Sequence, residues 1–513
     1  MSSNLLETVA DDHGPWNPGL ETPVPEALRP LATVFRPENV ATPMGTAREL
    51  HDLTGIDAAE LVAFRPSRLA LHELLIRVTA NIAVPAGDQI GDLGINFRRI
   101  TRSILHNAIE PRMAEIQKVH AAVEEAVARL AKAQVERAFA APDPHAIVST
   151  WTRDAAAASD PVQRETLRAL GRVVGAILVR HGRLWGLRDV LAALATDIAC
   201  NEAGSEAIGT LIDPWVLEGA RREGHAILPA QDRPVVMNTK GPSASGKSTL
   251  RPLQRRLARE IGVAWEDFSL VSPDIWRKQL LEYESLGEHF RYAGPFTGEE
   301  LRIVDVKLDR YMAAKAERDA MSHLLIDRFR FDSFAPQSHE AGSNLLTRFG
   351  HTVYLFFMIT PPGMLVERAW MRGLEFGRYK AVEDTLAHGV EAYAGMAEVF
   401  FTWVNRVDKR VHFEFLDNSV ALGERPRTVA FGWNDSIWIF EEKALLDVER
   451  FRRVNIHARG PAELWPDPAV LAPERNRAFL DRCLEGFRHV HFVEAGGAVP
   501  GADERAHTLG SWG

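Results

Sequence analysis

The segment Gly241-Pro242-Ser243-Ala244-Ser245-Gly246-Lys247-Ser248 matches the pattern G-x-x-x-x-G-K-[ST] of a phosphate-binding loop. Its glycines let the backbone turn tightly, so that successive amide N–H groups can face a phosphate. The pattern assigns Lys247 to the β and γ phosphates and the Ser248 hydroxyl to Mg²⁺. We therefore predict that ATP and Mg²⁺ bind here, with phosphate contacts from Gly241, Ser243, Ala244, Ser245, Gly246, Lys247, Ser248 and Thr249.

Two aspartates follow short apolar segments that are typical of strands. Asp274 comes soon after the segment Phe268 to Val271, and Asp327 comes directly after Leu324-Leu325-Ile326. Ligands of open α/β sheets bind at the carboxyl ends of the strands, so we expect both carboxylates near the phosphate loop. Asp274 could accept the proton of an attacking hydroxyl, and Asp327 could help to hold Mg²⁺. Two simpler interpretations are that Asp274 starts the next helix and that Asp327 pairs with Arg328.

Three arginines, Arg368, Arg372 and Arg378, lie in the segment from Glu367 to Arg378. Negative charge spreads over a phosphoryl group during its transfer, and fixed cations stabilise that charge. The glycines among them, Gly373 and Gly377, would give such a segment freedom to move as a lid. The alternative is a basic helix face that makes surface ion pairs.

In order and type, these motifs resemble the zeta-toxin family of P-loop kinases over about residues 234–418, about a third of the chain. That family is related to small-molecule kinases such as chloramphenicol phosphotransferase, and zeta-like bacterial effectors phosphorylate nicotinamide dinucleotide. The resemblance implies catalytic roles for Lys247, Asp274, Arg372 and Arg378, and a nucleotide contact for Arg368. It also implies that a helical antitoxin, or the chain's own helical half, could inhibit the enzyme.

Further segments match the family less closely. The loop His289 to Thr297 would shape the acceptor pocket, although an ordinary surface loop explains it equally well. His388 follows Gly377-Arg378 as in the family pattern, and Asp417-Asn418 ends a late strand, which a turn-forming pair also explains. Asp327-Arg328 stands where the family often has a Glu-Gly pair, so the resemblance does not extend to the acceptor contacts at this point.

The apolar runs after residue 234 are short and separated by helical segments, which predicts a parallel sheet with helices on both faces. We therefore expect an α/β P-loop kinase domain over residues 234–460, with a hairpin around Trp433-Asn434-Asp435. A mainly α-helical domain is predicted over residues 46–227. A loose N-terminal arm would occupy residues 1–45, and a C-terminal extension residues 461–513.

The net charge of −9 gives no reason to expect nucleic acid or anionic lipid as a partner. The two cysteines, Cys200 and Cys483, lie far apart, which disfavours a disulfide framework or structural zinc. No signal peptide or membrane-spanning run is evident, so a cytoplasmic location is predicted. Secretion by a route without a readable signal remains an alternative.

These features favour an ATP-dependent phosphotransferase that acts on a hydroxyl of a small polar metabolite, of the nucleotide-sugar or dinucleotide type. A polynucleotide end kinase and a non-catalytic ATP-binding switch are the alternatives. The helical half could be a structural platform, a surface that contacts the acceptor or a partner, or an inhibitor in cis.

Overall fold

A computed structural model describes residues 13–89, 91–327, 346–421, 423–494 and 507–511. Arg328 lies outside the described residues, so its proposed pairing with Asp327 has no structural account. Within these ranges, every helix is too short or too polar to span a lipid bilayer. The helices that precede the sheet are α1 (Met44–Thr54), α2 (Pro66–Asn81), α3 (Asp92–Ile104), α4 (Met113–Ala140), α5 (Pro144–Ala157), α6 (Pro161–His181), α7 (Arg188–Ala199) and α8 (Ser205–Arg222).

The second half of the chain forms a mixed sheet with helices on both sides. Its strands are β1 (Val235–Lys240), β2 (Phe268–Val271), β3 (His323–Ile326), β4 (Thr352–Ile359), β5 (Arg410–Asp417), β6 (Arg427–Trp433), β7 (Ser436–Ile439) and β8 (His489–Phe492). The helices of this half are α9 (Arg251–Glu260), α10 (Arg277–Leu280), α11 (Ala293–Phe296), α12 (Gly298–Ala316), α13 (Pro362–Phe376), α14 (Val382–Val404), α15 (Glu442–Arg450) and α16 (Ala478–Gly486).

The strands lie in the order β2-β3-β1-β4-β5-β6-β7-β8. Strands β1 to β5 are parallel, as expected, but β6 and β7 form an antiparallel hairpin and β8 runs parallel to β7. The expectation of a parallel sheet is therefore correct for these five strands and wrong for the sheet as a whole. The hairpin turns at Trp433-Asn434-Asp435, as predicted. The Asn434 side chain accepts from the Val411 amide and donates to the carbonyls of Val404 and Arg406, so it connects this turn to the end of α14 and to β5.

The helical half and the sheet share one hydrophobic core, which includes Leu74 of α2, Phe97 of α3 and Leu270 of β2. A second cluster lies among α4 to α7, where Trp151 and Leu170 are buried. Part of the expected N-terminal arm also belongs to the main core, since Val34 and Phe35 are buried there. The part of this segment around Val34 and Phe35 is therefore packed against the rest of the chain.

Buried charges join the helical half to the sheet half. The Glu300 carboxylate, on α12, accepts hydrogen bonds from Arg68 at 2.5 and 2.6 Å and lies 2.6 Å from His72 Nε2. Glu300 and His72 are completely buried, and burial lowers the pKa of His72 to about 4. Burial alone would raise the pKa of Glu300, but Arg68 and His72 lower it well below its usual range. The carboxylate is therefore ionised and compensates the buried guanidinium of Arg68.

We predict that Glu300→Gln lowers the free energy of unfolding by about 3 kcal/mol or more, because Arg68 loses its buried counter-charge. Urea denaturation measures this change. Glu38→Gln is the matched control, since Glu38 pairs with Arg36 on the surface, and we expect a change of at most about 1 kcal/mol. Equal stability of the two variants would contradict a structural role for the buried pair.

Candidate functional site

The predicted phosphate loop connects β1 to a short 3-10 turn, Lys247–Leu250, and then to α9. The helix that we expected from Lys247 therefore begins as a 3-10 turn and becomes α-helical only at Arg251. Gly246 has a φ of 91°, a left-handed conformation that favours glycine. A Cβ at this position would lie 2.3 Å from Nδ2 of Asn418, so glycine is also required for the close approach.

Asn418 holds the phosphate loop in place. Its side-chain amide donates a hydrogen bond to the Ser245 carbonyl at 2.7 Å, and the residue is buried at the end of β5. Arg368 donates to the carbonyls of Asn418 and Val420, each at 2.9 Å. In this structure Arg368 therefore supports the segment that braces the loop. The Asp417-Asn418 pair had suggested only a strand end, and nothing in its local sequence indicates this contact.

Lys247 folds back over its own loop. Its ammonium group donates to the carbonyls of Gly241 at 3.0 Å and Pro242 at 2.8 Å. Burial lowers the pKa of Lys247, an effect that the charges of Asp327 and Asp274 oppose. Both predicted carboxylates therefore lie close enough to Lys247 to influence its pKa.

Ser248 and Asp327 meet as a magnesium site would require. The Ser248 hydroxyl donates to a carboxylate oxygen of Asp327 at 2.9 Å, and Arg251 lies 3.5 Å from that oxygen. Both oxygens are hard ligands that suit Mg²⁺, in the combination that P-loop enzymes use. The described residues contain no cluster of three or more acidic, histidine or cysteine ligands, so most ligands would have to come from phosphates and water.

Asp274 lies three residues after the end of β2, and its side chain lies between two arginines. Its carboxylate contacts Arg277 at 2.9 Å and Arg378 at 3.1 Å, and its side chain is 46% exposed. The partial desolvation of the carboxylate would by itself raise the pKa of Asp274, but Arg378, Arg277 and Arg372 hold it well below its usual range. Asp274 is therefore an accessible, ionised carboxylate surrounded by positive charge.

Arg277 is a site residue that sequence reasoning missed. Besides Asp274, it contacts the Gly294 carbonyl and the Thr297 hydroxyl, each at 2.7 Å. The segment His289 to Thr297, predicted to shape an acceptor pocket, is thereby connected to Asp274. The motif that ends at Arg277 contained a signal for this contact, because a cation three residues after an acid on a helical turn lies next to that acid.

The predicted lid arginines lie on α13 and in the segment that follows it. Arg372 extends from α13 to the phosphate loop, and Arg378 extends from the following segment to Asp274. Arg372 lies 3.4 Å from the Ser243 hydroxyl, and burial lowers its pKa to about 10, with Arg378 adding to the effect. Gly373 has a packing role, because a Cβ there would lie 2.5 Å from the ring of Tyr379. Tyr379 therefore anchors the segment that carries Arg378.

Comparisons of the chain with protein-family models, with curated proteins and with solved structures found no match. The resemblance to zeta-toxin kinases thus depends on the motifs and stays a prediction. The geometry brings together the residues on which that resemblance rests, namely Lys247, Ser248, Asp274, Asp327, Arg372 and Arg378.

We predict that Asn418→Ala weakens binding of magnesium and ATP by about 10-fold. The loop loses its side-chain hydrogen bond at Ser245 and the contact beside Gly246, each of which fixes the phosphate-binding conformation. Isothermal titration calorimetry measures the affinity, and Asn107→Ala, on an exposed helical surface, is the control. Unchanged affinity in Asn418→Ala would show that the loop keeps its conformation without this brace.

Proposed function

We propose that the protein is an ATP-dependent phosphotransferase that moves the γ-phosphate to a hydroxyl of a small polar metabolite. The observation that carries this proposal is the position of Asp274. Its carboxylate is accessible, ionised and held by Arg277 and Arg378, and Arg378 follows closely after Arg372, which lies 3.4 Å from the Ser243 hydroxyl of the phosphate loop. A site for triphosphate binding alone would not require this carboxylate beside it.

The position of the loop in the sheet supports the same proposal. Strand β1 lies between β3 and β4, and the chain leaves β1 toward β2 but leaves β4 toward β5, in the opposite direction. The boundary between β1 and β4 is thus a topological switch point, where open α/β sheets form ligand-binding crevices. The phosphate loop follows β1 directly at this boundary.

In the proposed reaction, Lys247 and the loop amides bind the triphosphate. Magnesium held by Ser248 and Asp327 would neutralise charge on the β and γ phosphates. The acceptor oxygen attacks the γ phosphorus, the bond to the β,γ-bridging oxygen breaks, ADP leaves, and the hydroxyl proton is released to solvent late in the step, once bond formation to phosphorus has advanced. Asp274 accepts the hydrogen bond of the attacking hydroxyl and orients it, and Arg372 and Arg378 stabilise charge on the transferred group.

The lowered pKa of Asp274 defines its contribution. Such a carboxylate binds a proton weakly, so it orients the hydroxyl more than it deprotonates it. This suits a loose transition state, in which little bond formation to the nucleophile precedes departure of ADP. A non-catalytic switch, the alternative, would be favoured by an Asp274 buried away from the loop, and its exposure of 46% argues against that.

We expect Lys247→Ala to abolish phosphoryl transfer and to weaken ATP binding strongly. Asp274→Asn should reduce the transfer rate at least about 100-fold while ATP binding is retained, because only the orientation of the acceptor is lost. Transfer assays and calorimetry separate the two effects. Asp88→Asn removes an exposed carboxylate and should change neither. Full transfer by Asp274→Asn would refute the assignment.

The acceptor can be identified by incubating a metabolite extract with the protein and γ-labelled ATP, followed by mass spectrometry. We expect a metabolite that gains one labelled phosphoryl group. The same extract treated with Lys247→Ala protein should lack that product. A labelled oligonucleotide as the principal product would instead indicate a polynucleotide end kinase.

A further inference from the structure

A cavity of about 490 Å³ lies at the edge of the sheet opposite the phosphate loop. It is lined by Arg410, the first residue of β5, and by the turn between β6 and β7. Strands β1, β4 and β5 run parallel, and the phosphate loop follows the carboxyl end of β1, so Arg410 lies at the other edge. Cavities of this size are typical of small-molecule sites. This cavity is therefore separate from the proposed transfer site.

A row of stacked rings crosses β6, β7 and β8 beside the cavity. Phe431, Trp438 and His491 lie opposite one another in the register of these strands. The ring centroids of Phe431 and Trp438 are 5.3 Å apart, and those of Trp438 and His491 are 5.0 Å apart. The spacing of the three strands thus accommodates one flat ring on each of them.

A second row, next to the first, lacks its middle ring. Trp433, Ser436 and His489 lie opposite one another here, and all three line the cavity. Each is two positions away from a member of the first row, so both rows lie on the same face of the sheet. The serine side chain is too short to fill the place that Trp438 fills in the first row. A slot for one flat ring is therefore left between Trp433 and His489.

Hydrogen-bond donors for an anion lie beside this slot. The Arg410 guanidinium lies over the Trp433 ring, 4.9 Å from its centroid, and forms no ion pair with any carboxylate of the described residues. Guanidinium binds phosphate and carboxylate through paired hydrogen bonds. The indole N–H of Trp438, another residue of the lining, is buried without an acceptor in the part of the chain that the structure describes. Buried donors are normally paired, so an acceptor atom of a ligand would complete this one.

The turn between β6 and β7 fixes the slot and limits where an anion can lie. Asn434 is bonded to the backbone of α14 and β5, which holds the turn that carries Ser436. Asp435 also lines the cavity, and its carboxylate accepts a hydrogen bond from the Ser436 hydroxyl at 2.9 Å. Since Asp435 repels anions, the charged group of a ligand belongs near Arg410, and N–H donors of its ring belong near Asp435.

We propose that the slot binds a heteroaromatic ring that carries an anionic group, as in a nucleoside monophosphate. The ring takes the place of the missing middle ring between Trp433 and His489, and Arg410 binds the anionic group. Such binding does not require the proposed phosphotransferase activity, because the two sites lie at opposite edges of the sheet.

Equilibrium dialysis of the full chain with radiolabelled AMP tests this proposal. Lys247→Ala is the background for every measurement, so that the phosphate loop contributes little to binding. We expect this protein to bind one AMP, at least about 10-fold more tightly than adenosine, because the phosphate adds a charge-assisted contact with Arg410. Absence of AMP binding at millimolar concentration would overturn the proposal. So would tighter binding of a single-stranded oligonucleotide, which would assign the slot to nucleic acid.

Two further substitutions locate the bound nucleotide. Ser436→Trp fills the slot with an indole, so we expect AMP binding to weaken at least about 10-fold while the thermal unfolding midpoint stays the same or rises, since cross-strand rings stabilise a sheet. Arg410→Met should weaken AMP binding to a similar extent, and this variant decides the question if Ser436→Trp fails to fold. Arg453→Met removes an exposed arginine and is the control. Unchanged AMP binding in Ser436→Trp and Arg410→Met would place the nucleotide elsewhere and refute the slot.

Discussion

The crowding of positive charge at the carboxyl edge of the sheet is the constraint on which the site depends. Like charges held close together repel one another and oppose the folded state unless counter-charges lie among them. Asp274 and Asp327 supply those counter-charges, and the carbonyls of the phosphate loop accept hydrogen bonds from Lys247. The cations concerned are Lys247, Arg251, Arg277, Arg372 and Arg378.

Such a site works only if the segment that carries Asp274 is held firmly, and the helical half provides that support. The Thr79 carbonyl, on α2, accepts from Ser269 of β2 at 2.7 Å, and the Thr79 hydroxyl accepts from Trp276 at 3.2 Å. Gln279 donates to the Thr101 hydroxyl of α3 at 2.6 Å. These contacts cover the edge strand β2 and both sides of Asp274. Among the three roles considered for the helical half, they favour a structural platform.

Local pattern was sufficient to predict several parts of the fold. The strand before the phosphate loop, the strands before Asp274 and Asp327, and the late hairpin are short apolar runs bounded by turn residues, so they could be recognised. Strand β8 could not be recognised in this way. The segment His489-Val490-His491-Phe492 is partly exposed, and it becomes a strand through its pairing with β7. Val34 and Phe35 were likewise assigned to a loose arm, since their buried partners lie in distant parts of the chain.

Distance along the chain also separates the site residues that could be predicted from those that could not. Lys247 and Ser248 belong to a contiguous motif, whereas Asn418 contacts a loop carbonyl 173 residues away. Arg277 likewise contacts Gly294 and Thr297, which lie 17 and 20 residues further along the chain. Side-chain type indicates what a residue can do, but burial and neighbouring charge determine what it does.

The ion pair between Arg378 and Asp274 connects the two substrates of the proposed reaction. Without nucleotide, Arg378 neutralises Asp274 and lowers its affinity for a proton. In the proposed reaction a bound triphosphate would attract Arg378 as well, and its own negative charge would raise the pKa of Asp274 toward the ordinary value. Asp274 would therefore become a better hydrogen-bond acceptor for the attacking hydroxyl once the phosphoryl donor is bound. Nucleotide binding would thus prepare the acceptor side of the proposed site as well as the donor side.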